Sequence, residues 1–439
     1  MQGKTEGSGQ TKDLNRRLLY LLLILAVYRV GVHIPTPGVD TEALKEFFAR
    51  FSGTILGLFD MFSGRALSQF SIFAMGIMPY ISASIIIELL TVVWPHLSRL
   101  KKEGGQDGRR KLTQYSRYLT VGLSLFQGFM LAVGLERMSM GGGSVVIHPG
   151  VGFRVMTMVT LSAGTCFIMW LGEQITERGL GNGISLIIFA GIVEGLPSAI
   201  GGVFGALAAD EQSVLRMAFL AAGAVLIVAG VVFCERAQRR IPVQYAQRVV
   251  GRRLMGGRST HLPLKLNPAG VIPPIFASSL IMFPATLGQF VDMPFLKDLT
   301  MRDNWLYNLV YVILIVFFCY FYTGVQFNPD DVAENMKKHG GFVPGIRPGP
   351  KTAEYLDRVL TRLTLWGALY VSVICLLPGF VSRYFRVDFS FGGTALLIVV
   401  GVALDTISQI NSHLLNQHYD GFLKKGMAGM GKIQPRRRA

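Results

Sequence analysis

Residues 54–93 read T-I-L-G-L-F-D-M-F-S-G-R-A-L-S-Q-F-S-I-F-A-M-G-I-M-P-Y-I-S-A-S-I-I-I-E-L-L-T-V-V, and the two parts of that stretch obey different rules. Up to Gln69 the apolar residues are broken by Gly57, Asp60, Ser63, Gly64 and Arg65. That piece is too short and too polar to cross hydrocarbon, which takes roughly 20 apolar residues. From Phe70 to Val93 the text is long enough to cross, and it carries small residues, a proline and Glu88. Backbone that does not span is tolerated at membrane depth only where protein buries it or where it lines a watery cavity. The juxtaposition predicts a cavity closed by a half-helix.

Working outward, the 439-residue chain is 51% hydrophobic and only 16% charged, which places it among multi-pass membrane proteins and away from soluble enzymes. Met1 to Leu14 is polar, and the first apolar run, from Leu18, is not followed by a small-residue cleavage site. That run is therefore expected to remain as a span. Cys166, Cys234, Cys319 and Cys375 fall within or at the ends of apolar runs, in no metal-binding spacing, and read as small buried hydrophobes. No cofactor or metal is expected.

Ten apolar runs read as spans: 18–34, 70–93, 118–135, 153–171, 183–203, 215–234, 269–290, 305–325, 363–380 and 393–410. An even number puts both termini on one side. The formal charge of +16 is concentrated on that side: in the tail 1–17, in the segment from Arg99 to Lys111, in the loops 235–266 and 328–362, and in the basic tail 411–439. The positive-inside rule makes this face cytoplasmic. Ten spans divide into an N-terminal half, 18–203, and a C-terminal half, 204–410. With five spans each, the halves run in opposite directions, as inverted repeats around a central pathway do.

The loop 235–266 holds seven Arg and one Lys, with a Gly-rich turn between two β-prone runs, and is expected to form a protruding hairpin. Its bases either set topology alone or meet a polyanion such as ribosomal RNA. The loop 328–362 contains F-V-P-G-I-R-P-G-P, in which three prolines stiffen a platform around Arg347.

Several phrases in this order are familiar: M-F-S-G and I-M-P-Y-I-S-A-S-I-I-I within 61–87, K-K-E-G at 101–104, and M-W-L-G-E-Q-I-T-E-R-G-L-G-N-G-I-S at 169–185. S-T-H-L-P-L-K at 259–265, G-V-I-P-P-I-F-A-S-S at 270–279 and F-V-P-G-I-R-P-G at 342–349 follow. In them the chain resembles the SecY/Sec61-alpha family, which forms the channel of the protein translocase. The resemblance implies an all-α membrane protein with ten transmembrane helices in two inverted five-helix halves around an hourglass pore.

It further implies a plug over 54–69, with Thr54, Ile55, Leu56, Gly57, Leu58, Phe59, Asp60, Met61, Phe62, Ser63 and Gly64 at its heart. The pore ring maps to Ile77, Ile81, Ile184, Ile188, Ile275 and Ile398. The spacings 77/81 and 184/188 are i,i+4 pairs that share a helix face, although an isoleucine in an apolar span packs or faces lipid by default. The lateral gate maps to Ser82 and Phe283, with Asn267 near its mouth. Glu88 departs from the family, where an uncharged amide is common. It reads equally as a gating group or as an interface acid with a basic neighbour. Arg29 is expected to snorkel to the outer surface.

The implied function is a channel without enzymatic activity, in the bacterial plasma membrane with both termini cytoplasmic. It would move unfolded secretory preproteins and release apolar segments into membrane lipids. The implied partners are SecE, SecG, signal sequences, and the SecA ATPase or the ribosome docking on Arg236, Arg239, Arg240, Arg248, Arg252, Arg253 and Arg347. One rival is a secondary transporter of small solutes built on inverted repeats, but the mid-span ionisable residues noted are few: Glu88, Asp405 and His413. An intramembrane enzyme is the other, and neither H-E-x-x-H nor a P-loop is present. G-L-G-N-G-I at 179–184 lacks the preceding strand that a nucleotide-binding glycine loop needs.

Overall fold

The computed structural model describes residues 7–40, 42, 44, 60–61, 63–137, 139–140, 143–144, 146–208, 213–245, 248–250, 253–255, 259–288, 304–385 and 392–430. The chain folds as helices α1 (Gly7–Val32), α2 (Met78–Val93), α3 (Pro95–Glu103), α4 (Gly105–Arg137), α5 (Val151–Arg178) and α6 (Gly183–Ala208). Helices α7 (Ser213–Arg236), α8 (Ile272–Gly288), α9 (Trp305–Gln326), α10 (Pro329–Lys338), α11 (Pro350–Phe385) and α12 (Gly393–Met430) follow. Each apolar run read as a span overlaps one of these. Among the described residues α4, α5, α9, α11 and α12 contain segments long and apolar enough to cross a membrane. The pair α2–α3, bent by 97°, passes the same test as one broken span. Leu19, Leu22, Leu226 and Phe233 are exposed on the outside. Helices that are apolar on the outer face as well as the inner one are those that meet lipid rather than water.

Helix α1 packs on α5 and α6, α4 lies between α2 and α5, and α5 packs on α6. In the second set α8 packs on α9, α9 on α11, α11 on α12 and α12 on α7. The two sets meet where α2 touches α8, where α12 touches α6, and at the consecutive pair α6–α7. Close approach needs small residues: a Cβ at Gly164 of α5 would stand 1.9 Å from the Ile72 carbonyl oxygen, and one at Gly31 of α1 would stand 2.0 Å from the Phe73 ring. Residues 70–75 are thereby wedged between α1 and α5, and the Phe73 ring stacks between those of Tyr28 and Phe167.

Several boundaries differ from expectation. The second span is helical only from Met78; residues 63–77 are turns, with Gly64, Arg65, Phe70 and Gly76 at positive φ. Left-handed residues cannot continue an α-helix, and Pro79 suits a first helical turn. The span ends where expected, at Val93; Pro95 forces Trp94 into an extended conformation (ψ 113°), so the chain turns sharply into α3. The segment 328–362 is not mainly loop: α10 lies within it, and α11 begins at Pro350, well before residue 363. The side chain of Asn328 accepts from the Asp330 N–H, two acids occupy the first turn of α10 and two lysines its last, which suits the helix dipole. Helix α12 likewise runs on to Met430, through most of what reads as a tail.

The basic loop 235–266 does form a hairpin. Strand β3 (Gln238–Tyr245) pairs antiparallel with β6 (Ser259–Lys265), Ile241 opposite Leu262, and between them β4 (Arg248–Val250) pairs with β5 (Arg253–Met255). The two-residue strands β1 (Ser139–Met140) and β2 (Gly143–Ser144) pair separately. A short β7 (Gly341–Phe342) adds to the free edge of β3, so the sheet order is β6-β3-β7. Ile241 and Val243 alternate inward and, with Leu264, Val343, Leu356 and Val359, Ile241 builds a core separate from that of the helices. The two loops therefore make one folded body.

Candidate functional site

Most of the stretch expected to form the plug lies outside the described residues, which include none of Thr54, Ile55, Leu56, Gly57, Leu58, Phe59 and Phe62. Its root is described. Asp60 and Met61 are helical, and the Asp60 carbonyl accepts from the Arg65 N–H at 2.7 Å and from the Ser63 hydroxyl at 2.9 Å. Asp60 Oδ1 accepts from the Ser68 N–H at 2.7 Å. Burial pushes the Asp60 carboxyl above its usual range, and the Ser68 bonds pull it part of the way back. After the turn, the Phe70 carbonyl accepts from the Thr36 N–H and the Ile72 N–H donates to Ile34, which stitches the returning chain to the end of α1.

Arg29 does not snorkel. Its guanidinium pairs with Glu194 of α6, donates to the Ala190 carbonyl at 2.7 Å and reaches the Gly64 carbonyl at 3.4 Å. A half-buried acid on the neighbouring helix gives it a partner within the bundle, which removes the reason to reach for water. The sequence reading noted Glu88 and Asp405 as mid-span charges and passed over Glu194. An acid inside an apolar run is itself a signal, and a basic residue in another run is its natural partner.

Ile77, Ile81, Ile188, Ile275 and Ile398, from the lead-in and body of α2, from α6, α8 and α12, are each less than 9% exposed and share one apolar core. Ile184 is partly buried against the same core, and it leans toward α5, where a Cβ at Gly172 would stand 3.3 Å from its Cγ1. The glycines of 179–184 serve the turn between α5 and α6. Gly181 takes φ +85°, and the Asn182 side chain accepts from the Ile184 N–H at 3.1 Å as a helix cap.

Of the residues expected at the lateral gate, Ser82 on α2 is half-buried and Phe283 lies on α8 with its side chain outside the described set. Across the α2–α8 seam Met78 meets Ser279, whose hydroxyl lies 3.8 Å from the sulfur. Neither was singled out from sequence. Asn267 is buried, but its side chain bonds Glu235 at the end of α7 (2.9 Å) and the Gly270 backbone, so it fixes the entry to α8. Glu88 lies 3.9 Å from Lys101 of α3, across the bend at Trp94. That geometry matches an acid with a basic neighbour.

Of the basic loop residues, Arg236, Arg239, Arg240 and Arg347 are exposed. Arg248 and Arg253 sit on β4 and β5, and Arg252 lies outside the described residues. The Arg347 carbonyl accepts from the Thr352 hydroxyl at 2.9 Å, which ties its loop to the first turn of α11. Nearby, a cleft of about 690 Å³ between α3–α4 and α10 is lined by Lys101, Lys102, Arg109, Asn328 and Asp331.

Comparison with known proteins gives a consistent family. The family model described as SecY matches residues 71–407. The protein translocase subunit SecY of Escherichia coli (strain K12) is 51% identical over 435 residues, 97% of either chain. That of Pseudomonas aeruginosa is 50% identical over 425 residues, 95% of either chain. A solved structure described as that of a protein conducting channel superposes with a TM-score of 0.63 at 16% identity, over 92% of this chain and 93% of that one. Sec61 in a canine ribosome-channel complex gives 0.60 at 16% identity with the same coverage. The solved structures carry the fold, and half-identity over nearly the whole length carries the family. The chain belongs to the SecY family.

Proposed function

We propose that this chain is the pore subunit of a protein-conducting channel in the bacterial inner membrane, with ten crossings in two inverted halves and both termini in the cytoplasm. It moves unfolded secretory polypeptides and is not an enzyme. The observation that supports the reading is that five isoleucines from the segments around α2, α6, α8 and α12 are each less than 9% exposed and belong to the apolar core that the helices share. A collar of stiff β-branched side chains makes a constriction that dewets, blocking water and ions, and offers no polar site to hold a passing chain. Such a collar yields to many sequences and reseals.

In this reading Ile77, Ile81, Ile184, Ile188, Ile275 and Ile398 form the collar, and residues 54–69 stop it. The α2–α8 seam, lined by Ser82 and Phe283 with Met78 and Ser279 in contact, opens sideways to lipid. Glu88 and Asn267 brace its basic end. The sheet β6-β3-β7 and Arg347 dock the source of work, a SecA ATPase or a translating ribosome. SecE and SecG complete the assembly.

The test is a proteoliposome assay of the chain with SecE, SecA and ATP, scored for protease-protected preprotein. Preprotein uptake is expected. Uptake of a small solute driven by an ion gradient, with no protected preprotein, would overturn the reading in favour of a transporter.

A further inference from the structure

Two charges sit where an apolar bundle has most reason to avoid them. Arg29 on α1 and Glu194 on α6 are only 27% and 29% exposed, and charged groups among membrane helices persist where they pair and serve a function. Their pairing reaches further than two helices. The same Arg29 nitrogen that meets Glu194 also approaches the Gly64 carbonyl, and the neighbouring Tyr28 hydroxyl donates to the Ser63 carbonyl at 3.0 Å. Both acceptors are backbone atoms at the root of the 54–69 segment. Gly64 itself rests so close to α6 that a Cβ there would stand 3.0 Å from Gly191 Cα. Gly64 and Arg65 follow one another at φ +67° and +62°, so the chain turns sharply at the point that Tyr28 and Arg29 hold.

We propose that Tyr28 and Arg29 form a latch on the root of the plug, with Glu194 as the residue that positions Arg29. The latch sets how readily the plug leaves the waist, and it rests on the plug reading above. Glu194 and the Ala190 carbonyl hold the guanidinium between α1 and α6, extended toward Gly64. Without the acid, the long side chain gains by turning outward to water. Departure of the plug breaks the bonds to Ser63 and Gly64 and leaves the α1–α6 pair intact, so the latch opens and closes without dismantling the bundle.

The test measures resting ion conductance of the reconstituted complex for Tyr28→Phe and Glu194→Gln, each in the full chain and in a chain lacking 54–62. Phenylalanine keeps the ring against Phe73 and removes only the hydroxyl; should Glu194→Gln fail to assemble, Tyr28→Phe carries the experiment. Each variant is expected to raise the leak of the full chain by about threefold, the scale of one interhelical hydrogen bond in a membrane, and to add nothing in the shortened chain. A leak that rises on shortening but not in either variant overturns the latch and leaves the plug standing. Shortening without any rise in leak overturns the plug and the latch together. An equal rise in both backgrounds overturns the latch, because the residues would then act on the waist itself.

Discussion

The Ser279 hydroxyl donates to the Met78 sulfur across 3.8 Å in a buried contact that joins α8 to α2. Thioether sulfur is a weak acceptor, so the seam between the two sets of helices is held there by packing more than by polar bonds. An apolar segment entering the seam replaces packing with packing.

Removing the hydroxyl should therefore loosen the seam modestly. Ser279→Ala is expected to speed insertion of a weak signal sequence by about threefold, the effect of losing a bond worth about 0.6 kcal/mol. Conversely, Met78→Cys with Ser279→Cys, bridged by a short bifunctional thiol reagent, should stop lateral release of apolar segments. The measurement is partitioning of a model apolar segment into lipid, and continued release after bridging would count against the seam as the exit.

The waist should leak when its side chains are cut away. Ile81→Gly with Ile188→Gly is expected to raise ion conductance and to cost about 2–5 kcal/mol of stability per site, as deep truncations in packed cores do. Ile81→Leu with Ile188→Leu keeps the volume and should leave both nearly unchanged. A membrane that stays tight after both glycine changes argues against the collar.

Gly64→Ala should mimic an ill-seated plug. The new methyl would stand 3.0 Å from Gly191 Cα and 3.1 Å from the Tyr28 oxygen, at a φ of +67° that alanine adopts at a cost of about 1 kcal/mol. Raised resting leak with a normal yield of folded complex is the expected result, read in planar bilayers.

Docking and folding of the basic loops should separate by substitution. Arg347→Glu, on an exposed side chain, is expected to cut SecA-driven transport several-fold without changing expression. Ile241→Ala strikes the shared core under both loops and should cost about 2–5 kcal/mol. Limited proteolysis should then nick the hairpin and the 341–349 segment together, whereas nicking of the hairpin alone would show that the loops fold independently.

The membrane class and the hairpin in 235–266 were legible because each rests on local pattern: apolar length, and turn residues between β-prone runs. What escaped was non-local or masked by composition. β7 is two residues long and exists only because β3 offers it an edge. The signal for α10, N-P-D-D followed by K-K, was present in the text but was read as part of a stiff loop. Arg29 and Glu194 lie 165 positions apart, and no window of sequence shows that they meet. Met78 and Ser279 are as distant, and only the packing of α2 on α8 selects them from many similar apolar neighbours.

Strands β3 and β6 continue from α7 and lead into α8, while β7 sits between α10 and α11. A load applied to the hairpin is thus shared by several helices of the C-terminal half at one end, through a common hydrophobic footing. Force on this handle would therefore bear on the second set of helices, which meets the first only at α2–α8, at α6–α12 and at the consecutive pair α6–α7 among the stronger contacts.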